Sequence, residues 1–301
     1  MDELFARLGV QHDFAFILTF AALIWARMLA MVSVVPFLFG RTVPRTIRVG
    51  ISVALTLYLY PLLAPAETTV IATTLLDLFV LFLKEIFFGL IIGFSSAMIF
   101  YGFEAAGRMI DNQRGVSLAR VLIPALGEES SISGNFLFLM TIVVYLSLGG
   151  HLLFLNAFFE SYRVLPVLEW PRSAGFFPLM DLLGEMTANV LFLSVQISVP
   201  ILIAIFLVDV ILGVANRFAP QINVWELGFN LRGYVGILML FLALTLIVKQ
   251  MENYTYQSIF QVETVIERLK SPIPASLPVP EVNPNESPKQ DVPVKSIPSL
   301  Q

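Results

Sequence analysis

The stretch Glu104–Asn135 reads EAAGRMIDNQRGVSLARVLIPALGEESSISGN, and its reading decides what kind of chain this is. Before it lies Ile86–Phe103 and after it Phe136–Phe159, two apolar runs without a charge. Between them stand seven charged residues, Glu104, Arg108, Asp111, Arg114, Arg120, Glu128 and Glu129, spaced by Gly107, Gly115, Gly127 and Gly134. A membrane-spanning helix would not carry so many charges. A solvated loop would seldom keep Met109, Ile110, Val116, Leu118, Val121, Leu122 and Ile123. Two readings follow. One is a cytoplasmic loop with a short amphipathic helix. The other is a segment packed inside protein or across a pore, where irregular backbone at membrane depth is tolerated.

The whole chain has 301 residues, 57% of them hydrophobic and 13% charged, with mean hydropathy +0.83. Soluble domains carry ~25% charged residues, so composition gives an integral membrane protein. The net charge of -4 offers no footprint for nucleic acid. Absence of Cys excludes disulfides, thiolate metal sites and thiol redox chemistry. His12 and His151 lie too far apart for a local metal site. Asp2 and Glu3 stand against a lone Arg7, and no small-residue cleavage site follows the first apolar run. That run is expected to be retained rather than removed as a signal peptide.

Apolar runs predict an all-α membrane protein with about six membrane-depth helices. They are Phe14–Phe39, broken only by Arg27; Val49–Leu63; Leu75–Phe103, carrying Lys84 and Glu85; Phe136–Phe159; Met186–Val208, with Pro200 inside; and Gly233–Val248. The 24 residues of Phe136–Phe159 would rise about 36 Å as one helix, enough for a hydrocarbon core of about 30 Å with some tilt. Glu160–Glu185 reads as a polar connection and Asp209–Arg232 as a polar-interrupted segment. Eight Pro in Ser271–Pro298 deny helix and sheet, and residues 271–301 read as a disordered tail.

No catalytic constellation stands out, and the chain reads as a non-enzyme without cofactor. Ser147 lies four residues before His151, on one helical face, but the GxSG element of an intramembrane protease is missing. There is no GxxxxGK[ST] and no HExxH. The ionisable groups at membrane depth need another account. Arg27 has 13 uncharged residues on each side, and a central Arg costs ~2.5–3.5 kcal/mol on insertion scales. It is expected to be buried against a polar partner, on its own chain or a neighbour. Lys84 and Glu85 are sequence neighbours, so they are expected to face different sides of a helix and to need separate partners. Glu104 and Asp209 add to this demand, which a larger assembly meets more easily than a lone bundle. Gly89 and Gly93 form a G-x-x-x-G that lets helix backbones approach closely.

Five blocks, in this order, resemble the SctT/FliR family of type III secretion and flagellar export-gate subunits. They are RMLAMVSVVPFLFGRTVPRTIRVGISVALTLYLYP (Arg27–Pro61), EIFFGLIIGF (Glu85–Phe94), AAGRMIDNQRGVS (Ala105–Ser117), LGGHLLFL…S…LP (Leu148–Pro166) and LGVANRFAPQINVWELGFNLRGYVGILM (Leu212–Met239). The last holds an Asn-Arg-x-x-Pro-Gln core that includes Arg217, Pro220 and Gln221. Ile110–Gly115 (IDNQRG) is closer to the injectisome SctT branch than to the flagellar one. Where the family often has Asp-Pro, this chain has Ile123-Pro124.

The resemblance implies a subunit of the export gate that helps form and seal a peptide-conducting channel through the bacterial inner membrane. It implies SctR-like and SctS-like partners, SctU-like and SctV-like export components, unfolded polypeptides in transit and surrounding lipid. Residues 1–206, with a plug loop at about 104–135, would be SctR-like, and residues 207–261 an SctS-like hairpin. Gly107, Arg108, Met109, Ile110, Asp111, Asn112, Gln113, Arg114, Gly115, Val116, Ser117 and Leu118 would form the plug. Arg27, Lys84, Glu85, Glu104, Asp209 and Arg217 would be buried polar or assembly residues, and Gly89, Gly93, Pro220 and Gln221 helix-packing residues. The alternatives are a flagellar export-gate subunit and, from another class, a stand-alone secondary transporter, which would show internal repeats with matching broken helices.

Overall fold

The computed structural model describes residues 14–38, 43–63, 75–116, 131–168, 176–221 and 223–270. Among the described residues seven helices carry the fold: α1 (Phe14–Val34), α2 (Arg45–Leu63), α3 (Leu75–Gln113), α4 (Ile132–Ser147), α5 (Gly150–Val164), α6 (Phe176–Phe218) and α7 (Val224–Lys270). No strand occurs among the described residues. Ala15–Val34, Arg45–Leu63, Met180–Phe218 and Val224–Glu267 are long and apolar enough to cross a membrane, and the bent pair α4–α5 makes a fifth such element if it is one broken span. The all-helical, multi-pass architecture read from the runs is thus the one the chain adopts. Residues 271–301, read as a tail, lie outside the described residues.

The middle of the bundle is α3, packed against α1, α4, α6 and α7. Its charge-free centre, Ile86–Phe103, has no polar face to offer solvent, and Phe88, Ile92, Ala97, Phe100 and Phe103 are buried. Close approach to α1 is licensed by the two glycines. A Cβ at Gly89 would lie 2.3 Å from the Arg27 carbonyl oxygen and 2.8 Å from Ala30 Cβ, and one at Gly93 3.2 Å from the Met31 carbonyl oxygen. Contact positions rise together on both helices, so α1 and α3 run parallel. Pro220 and Gln221, expected at a helix contact, instead sit exposed in the turn between α6 and α7. Proline has no N–H to continue the α6 ladder, so the chain reverses there.

The run Phe136–Phe159 is not one helix. It breaks at Leu148–Gly149, where Gly149 takes φ +73, and α4 and α5 meet at 75°. Gly149 supplies the left-handed conformation that other residues adopt only at a cost. Gly150 lets the Tyr145 ring close on the break, since a Cβ there would lie 2.8 Å from the ring. From the end of α1, Phe37 fills the inside of the bend, with ring centroids 4.6 Å from Tyr145 and 5.3 Å from Phe154. The break also separates Ser147, at the end of α4, from His151 on α5. They do not share a helical face, and the exposed Ser147 hydroxyl donates to its own helix at Val144 O, 2.8 Å.

The last two helices run well past their apolar runs, to 43 and 47 residues. They pair as a hairpin, in which Arg232 Nε meets Asp209 Oδ1. Asp209–Arg232, read as an interrupted segment, is therefore the end of one long helix, a turn and the start of the next. Residue 206/207, the expected boundary between the two halves, falls inside continuous α6.

Candidate functional site: the loop base at the end of α3

Two buried polar clusters flank the charge-free part of α3. The 18 residues of Ile86–Phe103 rise about 27 Å, close to the ~30 Å of a hydrocarbon core. At one end Arg27, with no exposed surface, meets Glu85 from Nε to Oε2 at 2.6 Å. Its remaining donors reach Ser161 O at 3.2 Å and Leu165 O at 2.9 Å. The guanidinium carbon lies 4.2 Å from the Tyr162 ring centroid, and the Tyr162 hydroxyl donates to Ile24 O at 3.0 Å. A planar guanidinium serves a carboxylate and two carbonyls at once, so this one side chain joins α1, α3 and the C-terminus of α5.

Lys84 overturns one expectation. Its ammonium lies 3.0 Å from Glu85 Oε1 and donates to Val167 O at 2.7 Å. Neighbouring Cα–Cβ bonds diverge, but a four-carbon stem can fold back and bring its head to the adjacent carboxylate. The approach to Oε1 is off the hydrogen-bonding direction, so the contact is electrostatic rather than an aligned hydrogen bond. Arg27 also faces carbonyls in the last turn and cap of α5, where the helix dipole favours positive charge, and Lys84 faces carbonyls in the turn that follows.

The other cluster forms the base of the central loop. Helix α3 continues to Gln113, so the first ten residues of the quoted stretch are helical, and Glu104 pairs with Arg108 one turn on at 2.7 Å. Asp111 is completely buried. Its Oδ2 accepts from Ser131 Oγ and from Ser133 N, both at 2.9 Å. Its Oδ1 accepts from Ser133 Oγ at 2.6 Å and from Arg114 Nη1 at 2.8 Å. Ser131 is the N-cap of α4, and its hydroxyl accepts from Gly134 N at 3.0 Å. Asp111 thus works as a second cap for α4, reached from another helix. It satisfies a free N–H of the first turn and places its charge at the positive end of the dipole.

Glycines bring the two backbones together. A Cβ at Gly107 would lie 2.5 Å from Gly134 N and Cα. Arg114 lies across α7, its stem filling the space a Cβ on Gly236 would take, 2.6 Å away. Gly115, with φ +87, turns the chain beside the Phe229 ring. The chain therefore leaves α3 at Gly115–Val116 and returns at Ser131, and both points are held on one packed base. Residues 117–130 between them lie outside the described residues, Ser117 and Leu118 included.

The other expected residues fall as follows. Ile110 is fully buried against Ile201 and Ile205 of α6, and half-buried Met109 accepts from Ser198 Oγ at 3.6 Å. Asn112 and Gln113 are exposed and Val116 half-buried. Arg108 is half-exposed, while Glu104 is buried. Half-buried Asp209 meets Arg232, which the sequence reading did not single out although it is the one charge between Glu226 and Lys249. Arg217, grouped with the buried polar residues, is exposed on this chain, because it occupies the last turn of α6 where the hairpin tip leaves the bundle. The capping serines were also missed; their signal was Ser-Ser-Ile-Ser-Gly (residues 130–134) ahead of an apolar run. Among the described residues no group of three or more His, Cys, Asp or Glu is placed to hold a metal.

A helical multi-pass membrane protein with a long central helix, a bent helix pair α4–α5 and a buried polar cluster joining the end of α3 to the start of α4 is the class these features define. Residues 18–258 match the bacterial export proteins, family 1, and the chain belongs to that family. Among its relatives is the Yop proteins translocation protein T of Yersinia pestis, 35% identical over 199 residues, 64% of this chain and 73% of that protein. The flagellar biosynthetic protein FliR of Aquifex aeolicus is 30% identical over 251 residues, 82% of this chain and 93% of that one. The surface presentation of antigens protein SpaR of Shigella flexneri is 28% identical over 221 residues, 73% and 82% of the two chains.

Proposed function

We propose that this chain is the SctT-type subunit of a type III secretion export gate, helping to form and seal a peptide-conducting channel through the bacterial inner membrane. The observation that carries the reading is the loop base. A family of export proteins is matched along most of the chain, and this member fixes both ends of an internal loop on one buried carboxylate. A seal needs such a base, since a plug that drifts relative to its wall leaks. The stretch Gly115–Leu118, continuing into the loop, is read as the sealing part. Met109–Gln113 belong to the helix that carries it. Apolar side chains in a narrow constriction exclude water and ions by dewetting.

Residues 207–261 are read as the SctS-like part, with exposed apolar side chains (Ile211, Phe241, Leu242) turned to lipid or to SctR-like and SctS-like subunits. SctU-like and SctV-like components complete the gate, and the driving force comes from other components of the system. A flagellar gate is the second reading, favoured by the long match to the Aquifex aeolicus protein. The experiment is co-expression with SctR-like and SctS-like subunits and purification in detergent. A stable complex supports the gate reading. A monomer that binds a small solute would favour a stand-alone transporter.

A further inference from the structure

Helix α6 carries polar groups where a lipid-facing helix should have none. Its segment Met180–Phe218 is the most apolar of the four single helices long and apolar enough to cross a membrane, and Met186–Val208 holds no charge. Gln196 stands near the middle of that run, about 16 Å along the axis from Glu185 and about 20 Å from Asp209. Its side chain is exposed, as is that of Asn189 two turns earlier on the same face. No hydrogen bond reaches either amide from the described residues. Pro200, also exposed, lies one turn further on. The helix runs on through it, but proline has no N–H, so the Gln196 carbonyl lacks its helical donor. A side-chain amide and a backbone carbonyl therefore ask for partners at one point of an outward face. The opposite face is occupied, with Leu193, Ile197 and Ile201 buried. Helix α7 packs on the flank that carries Asp209 and Leu212, which at 3.6 residues per turn is the far side from Gln196.

We propose that this face of α6 docks a membrane-spanning helix of a neighbouring subunit, which presents a side-chain hydroxyl or amide at the depth of Gln196. The proposal rests on the export-gate reading, which supplies the neighbouring subunits, and names the face and the residue that set their register. Hydrocarbon offers no donor, and carbonyls freed by proline in membrane helices are satisfied by groups such as those of neighbouring helices. Side-chain amides join helices across an interface in the same way. A water-filled channel would satisfy the same groups. Phe192, Val199 and Ile203, however, share the face with them and are exposed. Apolar side chains interleaved with single amides fit a packed helix rather than a wetted wall.

The test uses the full chain co-expressed with SctR-like and SctS-like subunits. Phe192 or Ile203 is replaced by a photoreactive benzophenone residue, the membranes are irradiated, and the adducts of the purified complex are identified by mass. Both positions should join a membrane segment of a neighbouring subunit. Gln196→Leu should release those subunits about three- to tenfold faster in detergent. Gln196→Asn, which keeps an amide, should stay close to wild type. So should Thr187→Val, because that exposed hydroxyl bonds its own helix at Leu183 O, 2.7 Å. Adducts with phospholipid alone, no adduct at either position, or Gln196→Leu complexes as durable as wild type would each overturn the inference while the gate reading stands. A wild-type chain that recovers no SctR-like or SctS-like subunit would overturn both.

Discussion

Arg27→Leu separates membrane insertion from packing. On insertion alone the substitution is favourable, because a central Arg costs ~2.5–3.5 kcal/mol and Leu does not. In the folded chain it removes the 2.6 Å ion pair to Glu85, the bonds to Ser161 O and Leu165 O and the contact with the Tyr162 ring. Removing one partner of a buried pair typically costs ~3–5 kcal/mol. Lys84 remains 3.0 Å from Glu85 Oε1, so the carboxylate keeps one cation and the cost should lie near the lower end, about 3 kcal/mol, or roughly a hundredfold in a folding or assembly equilibrium. Membrane levels of the variant should match wild type, while protease resistance in detergent and recovery with partner subunits fall. Arg27→Leu/Glu85→Leu should be less damaging than the two single changes added together, by about 1–3 kcal/mol, as for residues in one network. Normal resistance and assembly of Arg27→Leu, or strictly additive effects, would refute the reasoning.

Three further outcomes follow from the same geometry. Gly89→Ala places a Cβ 2.3 Å from a backbone oxygen of α1, so the helices must part, and thermal stability in detergent should fall far more than for Gly184→Ala, whose Cβ would meet nothing within 4 Å. Gly149→Ala forces a non-glycine residue to φ +73; left-handed backbone costs about 1–2 kcal/mol per residue, and the midpoint of thermal unfolding should drop modestly while the complex still forms. Truncation after Lys270 should leave export intact, measured as secreted protein at normal subunit levels, because residues 271–301 hold no apolar face to pack.

What was legible in the sequence is the chemistry each residue needs, and less of where that need is met. Arg27 announced a polar partner by standing alone in an apolar run. Glu85 lies 58 positions away, and no local period points to it. Lys84 and Glu85 were read from their diverging Cα–Cβ directions, which ignores the reach of a lysine stem. The break in Phe136–Phe159 went unread because hydropathy is continuous across it. The Gly149-Gly150 pair was the available signal, but glycine is frequent in membrane helices. Glu104, Arg108 and Asp111 argued against a helix when counted as charges. In the structure each has a partner, Arg108 for Glu104 and the start of α4 for Asp111, so α3 carries them to Gln113. The five ordered blocks carried the family, which the match over residues 18–258 bears out; composition alone gave no more than a membrane protein.

The most direct measurement is small-molecule leakage through an assembled complex whose chain lacks residues 117–126. Those residues are chosen because Met109–Gln113 form part of α3, and deleting them would dismantle its contacts with α6 rather than open a constriction. The shortened chain should still co-purify with SctR-like and SctS-like subunits, and cells carrying it should take up or lose small solutes that the intact complex excludes. A complex that assembles in normal amount, stays tight to ions and solutes and exports its substrates normally would contradict the account.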